Sequence, residues 1–242
     1  MRKAALLSLI LVASSLAAFG PAAARPPVLV ELFTAQGCAS CAEANAHVGK
    51  LAERPGVLAL TFPVDYWDYL GWTDTFAKPE FTERQKAYVT RLKLREPYTP
   101  QVVVDGREEA PGLKTAEVDR LVRAAASAPR DPPDTKFIGP RRVDVGSGRP
   151  PPGGAEVWLI RYDPREVETP VKGGDNRGET VVQKNVVREI ARLGSWRGRP
   201  QAYRLTTPSD EGLRTVVIVQ GVRGGRVVAV AQKPAPKAER GG

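Results

Sequence analysis

The chain contains few of the residues that build metal sites and multiple disulfides. Its 242 residues include two cysteines, one histidine and one methionine. Two cysteines exclude a scaffold held by several disulfides, and zinc would need two further strong ligands. His47 lies six residues beyond Cys41, on a different part of any helix that starts there, so we interpret it as a surface or boundary residue. A copper site with two thiolates and a distant ligand stays an alternative.

Long apolar runs are also scarce, and the longest is at the start of the chain. Residues 4–19 are apolar apart from a few serines, follow Arg2 and Lys3, and precede small residues at 21–24. This pattern predicts a signal peptide, residues 1–24, cleaved after Ala24, and a location in the periplasm or outside the cell. An uncleaved anchor is the alternative, although about 16 residues are short for a span of about 20. We expect no stable membrane span after cleavage.

Positive charge is in excess but dispersed. The chain has 36 lysines and arginines against 27 acidic residues, a formal charge of +9. The charge falls to +7 when Arg2 and Lys3 are removed. Because basic residues are not interleaved with aromatic residues on any segment, we predict no nucleic-acid partner.

The pattern of apolar residues changes along the chain. The first half alternates buried strands and amphipathic helices, and later segments are strand-like. Predicted strands are 28–33, 57–64, 101–104, 155–162, 180–193, 215–220 and 226–231, and predicted helices are 40–53, 81–94 and 115–126. Asp105-Gly106 is typical of a hairpin turn. The run 180–193 is long for one strand and is expected to bend or bulge.

The two cysteines are separated by two residues, in Cys38-Ala39-Ser40-Cys41, directly after the first strand. They pair with each other or with a thiol of a partner. Closing so small a loop contributes at most roughly 2 kcal/mol, so a redox function explains the spacing better than bracing. We predict Cys38 as the nucleophile, beside the free N–H groups of a helix, and Cys41 as the resolving thiol. A structural disulfide and half of a metal site are the alternatives.

Thr99-Pro100 stands immediately before the strand 101–104. A strand, a Cys-x-x-Cys at a helix start and a proline before a later strand resemble the thioredoxin fold. The resemblance implies a cis bond at Pro100, substrate binding by Thr99, and a proton-accepting role for Glu31 towards the second cysteine. A trans proline, and a Glu31 paired with a cation, are the alternatives.

An aromatic cluster follows the second strand, in residues 65–72. Trp67 and Tyr69 are candidates for lining a substrate groove or covering the disulfide, and ordinary core packing is the alternative. The aspartates of this region do not have the spacing of an EF-hand, so we predict no metal.

Three motifs together resemble a secreted, thioredoxin-like family of Gram-negative bacteria known chiefly as a domain of unknown function. They are V-E-L-F-T-A-Q-G-C-A-S-C, V-D-Y-W-D-Y-L-G-W and Y-T-P-Q-V-V-V-D-G, within residues 30–106. The later G-G-D-N-R-G and N-V-V-R also resemble that family. The resemblance implies a fold and a compartment but no activity.

These observations predict an α/β thioredoxin-like domain followed by a mostly-β, sandwich-like C-terminal domain. The expected boundaries are 27–128 for the first domain, 129–135 for a linker, 136–232 for the second domain and 233–242 for a flexible tail. The predicted function is extracytoplasmic thiol-disulfide exchange, without a cofactor, on thiols or disulfides of other secreted proteins. A binding module with a non-catalytic disulfide and a copper-handling protein are the alternatives.

Overall fold

The computed structural model describes residues 25–207 and 212–234. The signal peptide predicted for residues 1–24 and most of the tail predicted for 233–242 lie outside the described residues. The described helices are α1 (Cys41–Leu51), α2 (Pro79–Leu92), α3 (Thr115–Ser127) and a short 3₁₀ helix (Asp68–Leu70). None of the described helices is long and apolar enough to cross a membrane.

Strand residues outnumber helix residues in the described part of the chain, which is therefore mostly β. They are β1 (Val28–Thr34), β2 (Val57–Pro63), β3 (Gln101–Val104), β4 (Glu108–Pro111), β5 (Thr135–Ile138), β6 (Arg142–Val145), β7 (Ala155–Pro170), β8 (Thr180–Trp196), β9 (Gln201–Arg204), β10 (Arg214–Gly221) and β11 (Val227–Gln232). The predicted helices 40–53, 81–94 and 115–126 are confirmed as α1, α2 and α3, with boundaries that differ by at most two residues.

Local sequence signals explain several boundaries. Pro79 occupies the first turn of α2, where its missing N–H costs no hydrogen bond, and Lys93 ends the helix in a left-handed conformation. Three residues connect β3 to β4, and Asp105 and Gly106 both have positive φ, which suits the tight turn that the Arg107 N–H closes by donating to the Val104 carbonyl at 3.0 Å. The predicted irregularity of the long strand is confirmed, since the β7–β8 pairing shifts register at three places.

Eight strands form one sheet in the order β11-β10-β7-β8-β2-β1-β3-β4. The halves of the chain join where β2 and β8 run parallel, with Thr61 opposite Val186. Side chains extend this junction: the Thr61 hydroxyl donates to the Lys184 carbonyl at 2.7 Å, and Asn185 Nδ2 donates to the Ala59 carbonyl at 2.8 Å.

The predicted fold class is therefore wrong. We expected an α/β thioredoxin-like domain followed by a separate β domain, but four strands from each half build one mixed sheet. The two halves share this sheet because β8 hydrogen-bonds to the free edge of β2. The segment 128–134, where the linker was expected, contains neither helix nor strand, and the numerical domain boundaries stay a prediction.

The sheet curls around α2. The turn after β10 meets the turn after β3, since the Val227 N–H donates to the Asp105 carbonyl at 2.8 Å. One hydrophobic core consequently joins α2 to strands from both halves, including Phe33, Tyr88 and Ile218. Cys38 and Cys41 belong to the same core.

Two further cores cover the opposite face of the sheet. The first packs α1 and α3 against β1 and β3, through residues such as Val30, Val48 and Leu121. The second packs a small sheet, β5-β6-β9, against β7 and β10 around the buried Trp196. These cores hold β1 and α1 in place, and thereby fix the position of the turn between them.

Candidate functional site

The two cysteines lie at the turn from β1 into α1. They form a disulfide with their Cα atoms 5.4 Å apart, which confirms that they pair with each other. The Cys41 N–H donates to the Cys38 carbonyl at 3.1 Å, and α1 starts at Cys41. Cys38 therefore lies beside the positive end of a helix, where a thiolate is favoured.

Both cysteines are buried while the residues between them are exposed. Cys38 is 2% and Cys41 is 1% exposed, whereas Ala39 and Ser40 face solvent. A partner can thus contact the dipeptide directly, but reaches the sulfur atoms only after a covering group moves.

The hydroxyls of Thr99 and Ser40 both contact the sulfur of Cys38, and Ser40 Oγ lies 3.6 Å from it. Thr99 is the nearer of the two. Its Oγ1 donates to Cys38 Sγ at 3.3 Å, and it accepts a hydrogen bond from Trp67 Nε1 at 2.7 Å. Because the indole N–H occupies a lone pair of the hydroxyl oxygen, the hydroxyl hydrogen is free to point at the sulfur. The Thr99–Pro100 bond is cis, as expected. The proposed substrate-binding roles of Thr99 and Pro100 stay predictions.

The aromatic cluster divides between buried and exposed side chains. Tyr69 is 79% exposed and free to contact a partner, while Trp67 packs against the core and holds Thr99. Burial raises the pKa of Tyr66 to about 12, so its phenol is protonated at physiological pH. The structure thus brings Trp67 to the disulfide and leaves Tyr69 at the surface.

The loop formed by residues 173–178, hereafter the cover loop, lies over the cysteine turn. It joins β7 to β8, and Asn176 Nδ2 donates to the carbonyls of Gln36 and Cys38 at 2.8 and 3.0 Å. Gly173 allows the loop to approach the aromatic segment closely, because a Cβ there would lie 2.3 Å from the Gly71 carbonyl oxygen, and Gly174 lies next to Gly37. Sequence analysis identified this segment only as a turn and a family motif, and missed Asn176 as a contact of the site.

Gln36 connects the cover loop to the aromatic cluster. Its Oε1 accepts from Trp72 Nε1 at 2.9 Å and from the Thr75 hydroxyl at 2.8 Å, and its N–H donates to Asp74 at 2.7 Å. Burial raises the pKa of Asp74, against backbone N–H groups, that of Gln36 foremost, which lower it. This network fixes the turn preceding Cys38 independently of the disulfide.

Glu31 lies elsewhere in the core, in contact with α2. Its carboxylate pairs with Arg84, with Nε 2.6 Å from Oε1, and accepts the hydroxyl of Tyr88. Gln220 adds bonds to Arg84 and Tyr88 at 3.2 and 2.9 Å. Burial is the largest single influence and lowers the pKa of Arg84, but Glu31, Tyr88 and Glu156 together raise it above its ordinary value. The pairing with a cation matches the alternative given for Glu31, and its role as a proton acceptor stays a prediction.

His47 faces α3, with its Nε2 3.3 Å from the Asp119 carboxylate. The described residues contain no group of three or more histidine, cysteine and acidic side chains placed to bind a metal. The side chains that contact the disulfide sulfur are neutral hydroxyl groups, those of Thr99 and Ser40.

Comparisons with known proteins identify the family. A family model described as protein of unknown function (DUF1223) matches residues 29–220, and a search of curated proteins found no match. The X-ray crystal structure of a protein from Agrobacterium tumefaciens is similar, with a TM-score of 0.71 and 30% identity over 90% of this chain and 98% of that chain.

HBP35 of Porphyromonas gingivalis is similar with a TM-score of 0.58 and 13% identity, over 88% of this chain and 76% of that chain. At this identity the likeness shows a shared fold only. The expected membership of a domain-of-unknown-function family is confirmed, without extension to the thioredoxin superfamily. The chain belongs to the DUF1223 family.

Proposed function

We propose that the protein exchanges disulfides with the thiols of other proteins outside the cytoplasm, through a mixed disulfide at Cys38. The observation that carries the proposal is the Thr99 hydroxyl directed at Cys38 Sγ from 3.3 Å, beside the start of α1. A hydroxyl donor and a helix N-terminus both stabilise a thiolate at this sulfur. A disulfide that only braces the chain has no use for such a donor.

The exchange begins when a thiolate of the substrate protein attacks Cys38 Sγ. The Cys38–Cys41 bond breaks, and Cys41 leaves as a thiolate that takes a proton from water. A second substrate thiolate then attacks the substrate's own sulfur in the mixed disulfide. Cys38 leaves as a thiolate next to the Thr99 hydroxyl, the substrate has lost two electrons to become a disulfide, and the protein has gained them as a dithiol. The reverse sequence reduces a substrate disulfide.

We expect a substrate thiolate to reach Cys38 when the cover loop moves. Asn176 holds this loop to the backbone on both sides of Gly37, through two hydrogen bonds between neutral groups. Such bonds contribute about 0.5–1.5 kcal/mol each, so an open form is within thermal reach. Tyr69, exposed beside the loop, is our candidate for the first contact with a partner.

A peptide-binding module with a non-catalytic disulfide is the second candidate. The burial of both cysteines favours it, since reactive cysteines are ordinarily accessible. The two functions differ in one property, namely whether a partner's thiol becomes bonded to Cys38.

The decisive experiment is to trap that bond. A Cys41→Ser variant of the mature protein, mixed with a peptide carrying a pyridyl disulfide, is expected to accumulate a mixed disulfide at Cys38. The wild-type protein, first reduced, is expected to resolve the same adduct. A Cys41→Ser variant whose Cys38 does not react while the protein is folded would favour the binding module.

The reduction potential provides an independent test. Equilibration with glutathione buffers, read out by thiol alkylation, is expected to give roughly −120 to −270 mV, the range of working exchange proteins. A value below roughly −300 mV would indicate a structural disulfide.

A further inference from the structure

A groove runs along α1 beside the β7–β8 hairpin and has a volume of about 360 Å³. One wall is a stripe of small residues on α1: Ala42, Ala46 and Gly49. The other wall comes from β8 and includes Gln183. The groove lies outside the cysteine site and the Glu31 cluster.

The floor of the groove carries buried polar groups without partners. Gln183 is 1% exposed, and within the described residues neither its Nε2 nor its Oε1 has a hydrogen-bond partner. Asn45 is 5% exposed, and its Nδ2 likewise has no partner there, although its Oδ1 accepts from the Thr34 hydroxyl at 2.9 Å. Because buried polar side chains are nearly always hydrogen-bonded, these amides mark a place where a ligand completes the bonding.

The free atoms define what the ligand presents. Gln183 offers an acceptor oxygen and an N–H donor on one carboxamide, the complement of the C=O and N–H of a peptide unit. The rim carries both signs of charge, including an ion pair between Lys184 and Glu53 at 2.6 Å, so no single charge is selected. Small residues on α1 leave room for a polypeptide backbone to lie against the helix.

The position of the groove links it to the disulfide. Ala42 directly follows Cys41, and Asn45 comes one turn later, about 5.4 Å along the helix. The β8 wall leads through the cover loop to Asn176, which binds the Cys38 carbonyl. One wall of the groove therefore begins next to Cys41, and the other is connected through the cover loop to the backbone of Cys38.

We propose that this groove binds an extended segment of the substrate polypeptide through its backbone amides, and so places a substrate cysteine next to Cys38. The inference rests on the proposed function for the identity of the ligand. It assigns a substrate class, namely extended or unfolded polypeptide recognised with little dependence on sequence.

The first test places a larger side chain at the exposed edge of the groove. Ala46 is exposed on α1, so Ala46→Leu blocks the groove without changing the core, and Ala116→Leu on the exposed face of α3 is the matched control. The probes are two unrelated, uncharged ten-residue peptides with one cysteine each, and 2-mercaptoethanol. We expect Ala46→Leu to slow attack of the peptide thiols on the disulfide at least tenfold, and to change the rate with 2-mercaptoethanol less than twofold. Ala116→Leu is expected to change neither rate.

A second variant removes the unpartnered amide itself. Gln183→Leu replaces it by an apolar side chain of similar size, which is expected to leave thermal stability equal or higher, because the amide makes no bond within the protein. Reaction with the peptides is expected to slow several-fold. Higher stability with an unchanged peptide rate would mean that only water completes the amide's bonding, and would overturn the inference.

Direct binding separates the inference from the proposed function. The same peptides with serine in place of cysteine, titrated calorimetrically into the oxidised protein, are expected to bind, and to bind at least tenfold more weakly to Ala46→Leu. Binding without any exchange in the wild-type protein would refute the function and keep the groove. A protein that exchanges with 2-mercaptoethanol but does not bind the serine peptides would refute peptide binding in the groove and keep the proposed function. Equal binding of these peptides to the wild-type protein and to Ala46→Leu would have the same meaning.

Discussion

Two buried polar clusters, both built partly from β1 and its following turn, differ in how their groups are held. Around Cys38 the contacts come from neutral donors, Thr99 and Asn176, and one of them sits on a loop. Around Glu31 the contacts include a full ion pair with Arg84, enclosed by α2 and β10. The first cluster is held by hydrogen bonds from neutral groups, whereas the second cannot lose Glu31 or Arg84 without leaving an unpaired buried charge. Under the proposed function, the first cluster is the site that reacts and the second supports the fold.

Breaking the ion pair is expected to have the largest effect. Arg84→Met leaves the Glu31 carboxylate buried without its cation, and should lower the free energy of unfolding by about 3–5 kcal/mol. Urea denaturation of the variant measures the loss. The double variant Glu31→Leu, Arg84→Met is the control, because replacing both partners by apolar groups is often close to neutral.

The double variant also tests whether the two clusters are independent. Where it folds, its reduced form is expected to be reoxidised by glutathione disulfide at the same rate as the reduced wild-type protein, because Cys41 must lose its proton in that step. A much slower rate would restore Glu31 as the proton acceptor for Cys41, and the comparison between a reacting and a supporting cluster would fail.

The ion pair between the buried Asp163 and the exposed Arg165 is expected to stabilise the fold less than the pair between Glu31 and Arg84. Hydrogen bonds from Arg165 lower the pKa of Asp163 to about 2, against burial, which raises it. Since this folded-state pKa is below the unfolded value, the stabilisation is present above about pH 4 and is lost as the pH falls through about 2. Asp163→Asn should cost up to about 2 kcal/mol at neutral pH.

Urea unfolding at neutral pH and at about pH 2 checks this expectation. The stability difference between Asp163→Asn and the wild-type protein should be largest at neutral pH and should nearly disappear in acid. An equal difference at both pH values would show that packing, and not charge, accounts for the loss.

Releasing the cover loop should change reactivity more than stability. Asn176→Ala removes the two hydrogen bonds that hold the loop over Cys38, and should speed reduction of the disulfide by dithiothreitol about tenfold. Asp175→Ala, at an exposed position in the same loop, is the matched control. An unchanged rate in Asn176→Ala would mean that reductants reach the sulfurs without loop movement.

The sequence predicted what depends on neighbouring residues and missed what depends on distant ones. The helices and the Asp105-Gly106 turn each follow from a local pattern, and the cis bond at Pro100 was implied by the resemblance to the thioredoxin fold. The pairing of β2 with β8, by contrast, joins Thr61 to Val186 and has no local signature. The prolines at 129–133 interrupt helix, as predicted, but they do not prevent the flanking segments from sharing a sheet.

The site was predicted in the same uneven way. Cys38 and Cys41 pair across two intervening residues, whereas Thr99 meets Cys38 across 61 residues, a contact that only the resemblance to the thioredoxin fold implied. Asn176 contacts Cys38 from a loop 138 residues away, and Arg84 meets Glu31 across 53 residues. Only the G-G-D-N-R-G motif gave a signal for the cover loop, and it did not indicate what the loop covers.

The smallest expected effect concerns the hydroxyl at the sulfur, and it sharpens the comparison most. Thr99→Val removes the donor to Cys38 Sγ while keeping the shape of the side chain. In the reduced protein the pKa of the Cys38 thiol should rise by roughly 0.7, since one hydrogen bond is worth about 1 kcal/mol. The pH dependence of alkylation in a Cys41→Ser background measures this pKa. Thr99→Ser should leave it unchanged, and Trp67→Phe, which frees the hydroxyl to rotate, should raise it by less. A pKa insensitive to all three changes would place the thiolate's stabilisation in α1 and the Ser40 hydroxyl. Thr99 would then support the fold, as the charges around Glu31 do.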